Sequence, residues 1–230
     1  MQSVALIGRG RIGGEIAAAL RAGRVPGLDL IAVLGRSDDP VPAITRATIV
    51  VEAASAAVVP ALARLALPAG KTLVVTSAAG LWHETMPPIP PGRVVVPSGA
   101  TLGLDALKAM ARQEIRSARV VMRLPPDHAP GEVGAFRGGP RQAARRFPGH
   151  ANNLVATALA LGREVFEVEM LIDPAVPGPL IEVEALSDTA HLRASLGHFP
   201  APGHPEVSRN IALSVLAALE SLVAPLRIGS

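Results

Sequence analysis

Three glycines near the start of the chain have the spacing of a dinucleotide-binding turn. Gly8, Gly10 and Gly13 form the pattern G-x-G-x-x-G, which follows the apolar run 4–7 and precedes the alanine-rich stretch 14–22. In such a unit the first glycine permits a tight turn, the second lets backbone N–H groups approach a pyrophosphate, and the third lets the helix pack closely on the strand. The N-terminus of the helix then faces the phosphates with the positive end of its dipole.

The turn and the helix that follows it predict a binding site for NAD or NADP. The expected contacts are Gly8, Gly10, Arg11, Ile12 and Gly13. The alternative is a glycine turn in an α/β protein that binds no nucleotide, because the pattern by itself is short. A preceding strand, a following helix and a second apolar strand about twenty residues later favour the dinucleotide site.

The choice between NAD and NADP depends on the end of the second apolar strand. NAD-selective sites often place a carboxylate there, which accepts hydrogen bonds from the ribose hydroxyls. Here Arg36 and Ser37 come first, and a guanidinium beside a hydroxyl suits a 2′-phosphate. This pair favours NADP over NAD. The alternative is that Arg36 stacks on the adenine or is solvated while Asp38 reaches the ribose.

The composition excludes several other classes of protein. The chain has 230 residues, 49% of them hydrophobic, and a formal net charge of +3. It can therefore bury a large core, and it has no basic tract for a phosphate backbone. Aromatic residues make up 2% of the chain, which is too few for a platform that stacks single-stranded nucleic acid. The sequence contains no cysteine, which excludes disulfides and thiolate metal sites.

Further features of the sequence indicate a protein of the cytoplasm. The N-terminus shows no basic segment followed by an apolar one, and no apolar run reaches the roughly 18 residues needed to cross a bilayer. The six histidines include no pair with HxH or HxxxH spacing, so we expect no metal site. The expected partner is a small-molecule substrate, with no nucleic acid and no membrane.

The order of the predicted elements indicates an N-terminal Rossmann lobe and a C-terminal α+β lobe, with the last helix returning to the first lobe. The predicted strands are 4–7, 30–34, 48–53, 72–77, 93–96, 118–124, 165–172, 180–186 and 190–196, and the predicted helices are 14–22, 56–67, 104–111, 141–146, 152–161 and 210–223. We place a dinucleotide-binding domain at 1–105, with the helix at 210–230 packing on it. An α+β substrate and dimerisation domain then occupies 106–209.

Several segments carry a resemblance to a known family. The most specific is Pro-Ser-Gly-Ala at 97–100, followed by Gly-Leu-Asp-Ala-Leu at 103–107. The other segments lie at 51–55, 76–81, 147–153, 173–174, 181–184 and 200–208. In this order they resemble L-aspartate dehydrogenase, a small dinucleotide enzyme that interconverts aspartate with oxaloacetate and ammonia through an iminosuccinate.

The resemblance implies a two-lobed, homodimeric dehydrogenase whose 97–100 loop lies beside the nicotinamide. Hydride would pass between C4 of the nicotinamide and the α-carbon of an amine or imine. Beyond the glycine turn and the end of the second strand, the implied cofactor contacts are Ala54, Ser55, Ser77, Ala78, Ala100 and Asn152.

The chain departs from the family at the position of the catalytic histidine. Family members carry that histidine before the strand that reads Ile-Glu-Val-Glu here, whereas this chain has Ala-Val-Pro-Gly-Pro-Leu at 175–180. Imine chemistry needs a group that exchanges protons near neutral pH, and histidine has that property. We expect His150 to be catalytic, because its motif borders the nicotinamide in the family. His204 is the second candidate, in a loop before the last helix where the family binds substrate.

The leading hypothesis is an NAD(P)-dependent oxidoreductase that acts on the CH–NH2 group of a small amino acid or its imine, with aspartate favoured. The missing histidine leaves open a second hypothesis, in which the same fold reduces a different carbonyl or imine substrate. A third hypothesis is a catalytically silent dinucleotide-binding protein that senses redox state or scaffolds a partner.

Overall fold

The described part of the chain forms two five-stranded sheets and a separate two-stranded sheet. The computed structural model describes residues 1–82, 91–99, 101–128, 135–201, 204–208 and 210–228. By its internal contacts the chain divides into two compact units. The first unit comprises Met1–Gly99 with Ile211–Ile228, and the second comprises Ala100–Asn210.

The strands and helices follow one another through both units. The strands are β1 (Gln2–Ile7), β2 (Leu28–Leu34), β3 (Ile49–Glu52), β4 (Thr72–Val75), β5 (Arg93–Val95), β6 (Ile115–Leu124), β7 (Phe136–Gly138), β8 (Glu167–Ile172), β9 (Leu180–Ser187), β10 (His191–Gly197), β11 (Pro200–Ala201) and β12 (His204–Ser208). The helices are α1 (Arg11–Arg21), α2 (Val41–Arg46), α3 (Val59–Ala66), α4 (Leu104–Met110), α5 (Pro140–Arg146), α6 (Ala151–Leu161) and α7 (Asn210–Val223).

The first sheet is parallel throughout, with strand order β2-β1-β3-β4-β5. Both faces are buried, because alternate residues of β1 belong to different core clusters. Val4 and Leu6 pack with residues of α1 and α7, whereas Ala5 and Ile7 pack with residues of α2 and α3. A parallel sheet buried on both faces needs such continuous apolar strands. The strand order reverses direction between β1 and β3, which is the position where open α/β sheets bind ligands.

The last helix belongs to the first unit. Its residues Ala212, Val215, Leu216 and Leu219 are buried in the cluster that also contains Val4 of β1 and Ile16 of α1. Apolar side chains at helical spacing form one face of α7, and that face covers the first sheet. The fold class predicted from the sequence, a Rossmann lobe to which the last helix returns plus an α+β lobe, is confirmed.

The second sheet is mixed and has strand order β10-β9-β6-β8-β7. Strands β6 and β8 pair parallel, and the other pairs are antiparallel. One face of the sheet packs on α4, α5 and α6 in a single core. The opposite face carries ion pairs, with Arg119 3.5 Å from Glu184 and Arg123 2.7 Å from Glu182. Hydrogen bonds from His191 and Arg193 lower the pKa of Glu184.

Some short elements were not predicted from the sequence. Helix α2 has six residues with a proline in its first turn, and β7 has three residues ending in glycine. Neither is long enough to show a hydrophobic period. His204, which we expected in a loop, begins β12. Within the described residues, no helix is both long and apolar enough to cross a membrane.

We expect the contribution of α7 to the first core to be measurable. Leu219 is fully buried, so Leu219→Ala should lower the free energy of unfolding by about 2–5 kcal/mol. Leu213 lies on the same helix but is 51% exposed, and Leu213→Ala should leave stability nearly unchanged. Chemical denaturation followed by circular dichroism measures both variants. Equal denaturation midpoints for the two would contradict the packing of α7.

Candidate functional site

The glycine turn has the shape that a diphosphate requires. Gly8 has a φ of +127°, and a Cβ added there would lie 2.2 Å from the carbonyl oxygen of Ala53. A Cβ added to Gly13 would lie 2.1 Å from the carbonyl oxygen of Gly8. Gly10 differs, since a Cβ there would meet no atom within 4 Å. Gly8 and Gly13 therefore close the turn. Gly10 leaves an open cradle beside the backbone, which a side chain would fill.

Helix α1 presents its N-terminus to this cradle. Gly10 is the N-cap residue, and no side chain that the structure describes caps the first N–H groups of the helix. Nε of Arg11 is buried and has no hydrogen-bond partner within the described ranges, while its Nη1 lies 3.4 Å from Glu15. Ile12 is partly buried and packs against the core. Uncapped N–H groups beside a buried, unpaired donor fit an anionic ligand such as a diphosphate.

A cavity of about 570 Å³ lies at the carboxyl ends of β1, β2 and β3. Its volume is in the range of small-molecule sites. Of the residues predicted to contact the cofactor, Gly8, Gly10, Arg36, Ala54 and Ser55 line this cavity. Its apolar wall is formed by Leu34, Pro40, Val58, Ala61, Leu62 and Leu65. Ser37 is exposed beside Arg36 and does not line it. The apolar wall suits an adenine ring, and the glycine turn suits the phosphates next to it.

Arg9 also lines this cavity, although the glycine pattern did not mark it as a contact residue. Its Nε and Nη2 donate hydrogen bonds to the carbonyl oxygen of Val33, at 3.2 and 3.0 Å. Its Nη2 also lies 2.6 Å from Oδ2 of Asp38. That carboxylate accepts a hydrogen bond from the N–H of Gly35 at 2.8 Å. The signal in the sequence was an arginine inside the glycine pattern together with an aspartate four residues after the strand.

Glu52 joins two loops at the edge of the first sheet. Its side chain is fully buried at the end of β3. Oε1 accepts hydrogen bonds from the N–H of Ala54 at 2.7 Å and from Oγ of Ser77 at 2.9 Å. Oε2 accepts hydrogen bonds from the N–H of Ser77 at 2.9 Å and from Oγ1 of Thr76 at 3.4 Å. Ala54 and Ser77 are both predicted cofactor contacts, so one carboxylate fixes the backbone of the two segments that carry them.

The remaining predicted contacts of the first unit lie close to these loops. Ala78 is 2% exposed and begins a short 3-10 helix, Ala78–Leu81. The N–H of Gly99 donates a hydrogen bond to Oγ of Ser214 on α7 at 3.1 Å, which connects the third residue of the Pro-Ser-Gly-Ala loop to the last helix. Ala100 lies outside the described residues.

The second unit holds the two histidine candidates. His150 ends a 3-10 turn, Pro148–His150, and its N–H donates a hydrogen bond to the carbonyl oxygen of Phe147 at 3.0 Å. Asn152 is the second residue of α6, so His150 and Asn152 lie within one helical turn. The side chain of His204 lies outside the described part of the structure.

Two other histidines can be placed. His191 pairs with Glu184 on the charged face of the second sheet, at 2.9 Å. His198 is 7% exposed, and its N–H donates a hydrogen bond to the carbonyl oxygen of Pro179 at 2.8 Å. The segment that lacks the expected family histidine therefore lies against the backbone of a buried histidine that directly follows β10. Among the described residues, no group of three or more histidine, aspartate or glutamate side chains is placed to hold a metal ion.

The cradle at the strand-order reversal and the second lobe built on a mixed sheet define a class, the two-lobed dinucleotide-dependent dehydrogenases. Residues 105–222 match the family model described as aspartate dehydrogenase, C-terminal. An L-aspartate dehydrogenase 3 of Bordetella bronchiseptica is 34% identical, over 99% of this chain and 97% of its own length. An L-aspartate dehydrogenase of Bradyrhizobium diazoefficiens is 32% identical, over 99% of this chain and 94% of its own length.

A solved structure shows the same fold. The crystal structure of aspartate dehydrogenase from Thermotoga maritima superposes with a TM-score of 0.81 at 22% identity, and each chain is covered over 100% of its length. The chain belongs to the L-aspartate dehydrogenase family, which confirms the resemblance found in its motifs.

The cradle at Gly10 gives a direct test of the diphosphate site. Gly10→Ala should fold normally, because its Cβ meets no atom, but it should weaken NADPH binding at least tenfold, or about 1.4 kcal/mol. Gly14→Ala adds the same methyl group to an exposed position of α1 with equal free space, and it should leave NADPH binding unchanged. Fluorescence titration with NADPH measures both. If Gly10→Ala binds NADPH with unchanged affinity, the diphosphate does not bind at this turn.

The role of Glu52 can be tested by an isosteric change. Glu52→Gln places an NH2 group against a backbone or hydroxyl donor, and we expect the free energy of unfolding to fall by about 1–3 kcal/mol. Glu220→Gln makes the same change at an exposed position and should have almost no effect. Urea denaturation compares the two variants. If both unfold at the wild-type midpoint, the buried hydrogen bonds do not hold these loops.

Proposed function

We propose that this protein is an NAD(P)-dependent oxidoreductase that interconverts L-aspartate with oxaloacetate and ammonia. The observation that carries the proposal is the diphosphate cradle at Gly10 in a chain that shares its full length with L-aspartate dehydrogenases. We propose for these residues the cofactor contacts that the sequence predicted. Gly8, Gly10, Arg11, Ile12 and Gly13 bind the diphosphate.

The other cofactor residues complete the proposed binding site. Ala54, Ser55, Ser77 and Ala78 lie along the loops that Glu52 joins. Ala100 and Asn152 approach the nicotinamide in this proposal, as the family resemblance implies. When bound, the cofactor would supply the hydride acceptor for oxidation of the amine of aspartate to the protonated imine, iminosuccinate.

Hydrolysis of the imine then requires a group on the protein that accepts and donates protons. A base takes a proton from a water molecule as the new C–O bond forms at the α-carbon. The same group returns a proton to the nitrogen as the C–N bond breaks. The hydroxyl on the α-carbon loses its proton to water and becomes the carbonyl of oxaloacetate, and ammonia is released. An imidazole suits both steps near neutral pH. We assign this role to His150 first and to His204 second.

We propose NADP rather than NAD as the preferred cofactor. Arg36 is exposed on the wall of the cavity at the end of β2, where the 2′-phosphate of an adenosine ribose would lie. Ser37 beside it offers a hydroxyl to the same phosphate. A guanidinium binds a phosphate through forked hydrogen bonds, which a ribose hydroxyl does not match.

We also propose that the enzyme is a homodimer of the cytoplasm whose domains divide at residues 105 and 209. The homodimer follows from the family resemblance, and light scattering of the purified protein measures it. The protein binds a small-molecule substrate in this proposal and needs neither nucleic acid nor a membrane.

The assay follows the loss of absorbance of reduced nicotinamide on mixing with oxaloacetate and ammonia. We expect turnover that depends on ammonia. Equal turnover without ammonia would favour a carbonyl reductase, the alternative raised by the missing family histidine. Binding of NADPH without turnover of any 2-oxo acid and amine would favour a silent binding protein.

The histidine roles are tested in the same assay. His150→Ala should lower kcat at least a hundredfold with a smaller change in KM, because general acid–base catalysis contributes about 10²–10⁴-fold. His204→Ala should show a smaller loss of kcat. His191→Ala is the matched control, since His191 pairs with Glu184 on the face of the sheet away from the helices. A loss in His191→Ala equal to that in His150→Ala would contradict the assignment.

A further inference from the structure

The side chain of Arg9 crosses from the glycine turn to the end of the second strand. Its guanidinium donates two hydrogen bonds to the carbonyl oxygen of Val33 and lies 2.6 Å from Oδ2 of Asp38. Gly35 provides the room for this path, because a Cβ on Gly35 would lie 3.3 Å from Cδ and from Nη1 of Arg9. The turn that holds the diphosphate and the strand end that faces the ribose are thus connected by one side chain.

The carboxylate of Asp38 is held in place by two donors. Its Oδ2 accepts a hydrogen bond from the N–H of Gly35 at 2.8 Å and also pairs with Arg9. These contacts fold Asp38 back onto the end of β2, and both Arg9 and Asp38 line the same cavity. This is the place where a carboxylate selects NAD in dinucleotide-binding folds, because it accepts hydrogen bonds from the ribose hydroxyls and repels a 2′-phosphate.

The pair is too exposed to act mainly as a stabilising contact. The side chains of Arg9 and Asp38 are 58% and 32% exposed, and ion pairs in water contribute little to folding. Their effect is on the local charge. Arg9 neutralises the carboxylate, and Arg36 adds a second guanidinium to the wall of the cavity. The residues that line the cavity here therefore include two positive groups, Arg9 and Arg36, and one negative group, Asp38, which favours a phosphate.

We propose that the Arg9–Asp38 ion pair determines the cofactor selectivity of this enzyme. Arg9 masks the charge of Asp38 and so admits the 2′-phosphate of NADP, to which Arg9 and Arg36 both donate hydrogen bonds. Without Arg9, the unmasked carboxylate of Asp38 accepts the ribose hydroxyls of NAD and excludes NADP. This inference rests on the proposed function, since it assigns the residues that choose between the two cofactors of that activity.

The test compares the dissociation constants of NADPH and NADH for the full-length protein and three variants. Arg9→Gln should shift the ratio of the two affinities at least tenfold toward NADH. Asp38→Asn should shift it at least tenfold toward NADPH, because it removes the repelling charge and frees Arg9. Arg24→Gln removes an exposed guanidinium that does not line the cavity, and it should leave the ratio unchanged.

The outcomes separate this inference from the proposed function. If wild-type protein binds neither NADPH nor NADH, both fail. If wild type binds a cofactor but Arg9→Gln and Asp38→Asn change the two affinities equally, the selectivity role of the pair is wrong and the proposed function stands. Opposite shifts in the two variants support the pair as the selectivity element. Circular dichroism of each variant confirms that a lost affinity is not a loss of fold.

Discussion

The close approach of Gly8 to the carbonyl oxygen of Ala53 is the constraint on which the cofactor site depends. No side chain fits between them, because a Cβ on Gly8 would lie 2.2 Å from that oxygen. This contact joins the end of β1 to the end of β3, so the first turn of α1 sits over the point where the strand order reverses. The cradle at Gly10, the N-terminus of α1 and the buried Nε of Arg11 come directly after this contact along the chain.

Glu52, at the end of β3, connects this strand end to the residues that follow β4. A buried carboxylate must be satisfied by donors, and here two backbone N–H groups and two hydroxyls supply them. The first of these donors follows β3 and the others follow β4, so the carboxylate sets the spacing of two loops that neither strand fixes alone. The hydrogen bonds of Glu52 therefore connect the two loops where the proposed cofactor lies.

The sequence predicted most of the fold because its patterns are long. The last helix, predicted at 210–223, has those same bounds in the structure, since its apolar face repeats over fourteen residues. The glycine spacing likewise indicated the turn. Helix α2 and strand β7 were missed because six and three residues are too short to show a period.

The site could be predicted less completely than the fold. Its backbone features come from local spacing, whereas its side-chain contacts join residues far apart in the chain. Glu52 meets a partner 25 residues later, and Arg9 meets a carbonyl 24 residues later. Such contacts depend on strand register and on side-chain direction, which no local pattern encodes. The burial of His198 depends in the same way on the pairing of β9 with β10.

A crystal structure of the protein with NADPH bound would show whether the diphosphate lies at the glycine turn. We expect diphosphate oxygens to accept hydrogen bonds from the N–H groups of Arg11 and Ile12 at about 3 Å, with the diphosphate in the space beside Gly10. A diphosphate bound elsewhere, or a glycine turn filled by protein side chains in the complex, would contradict this expectation.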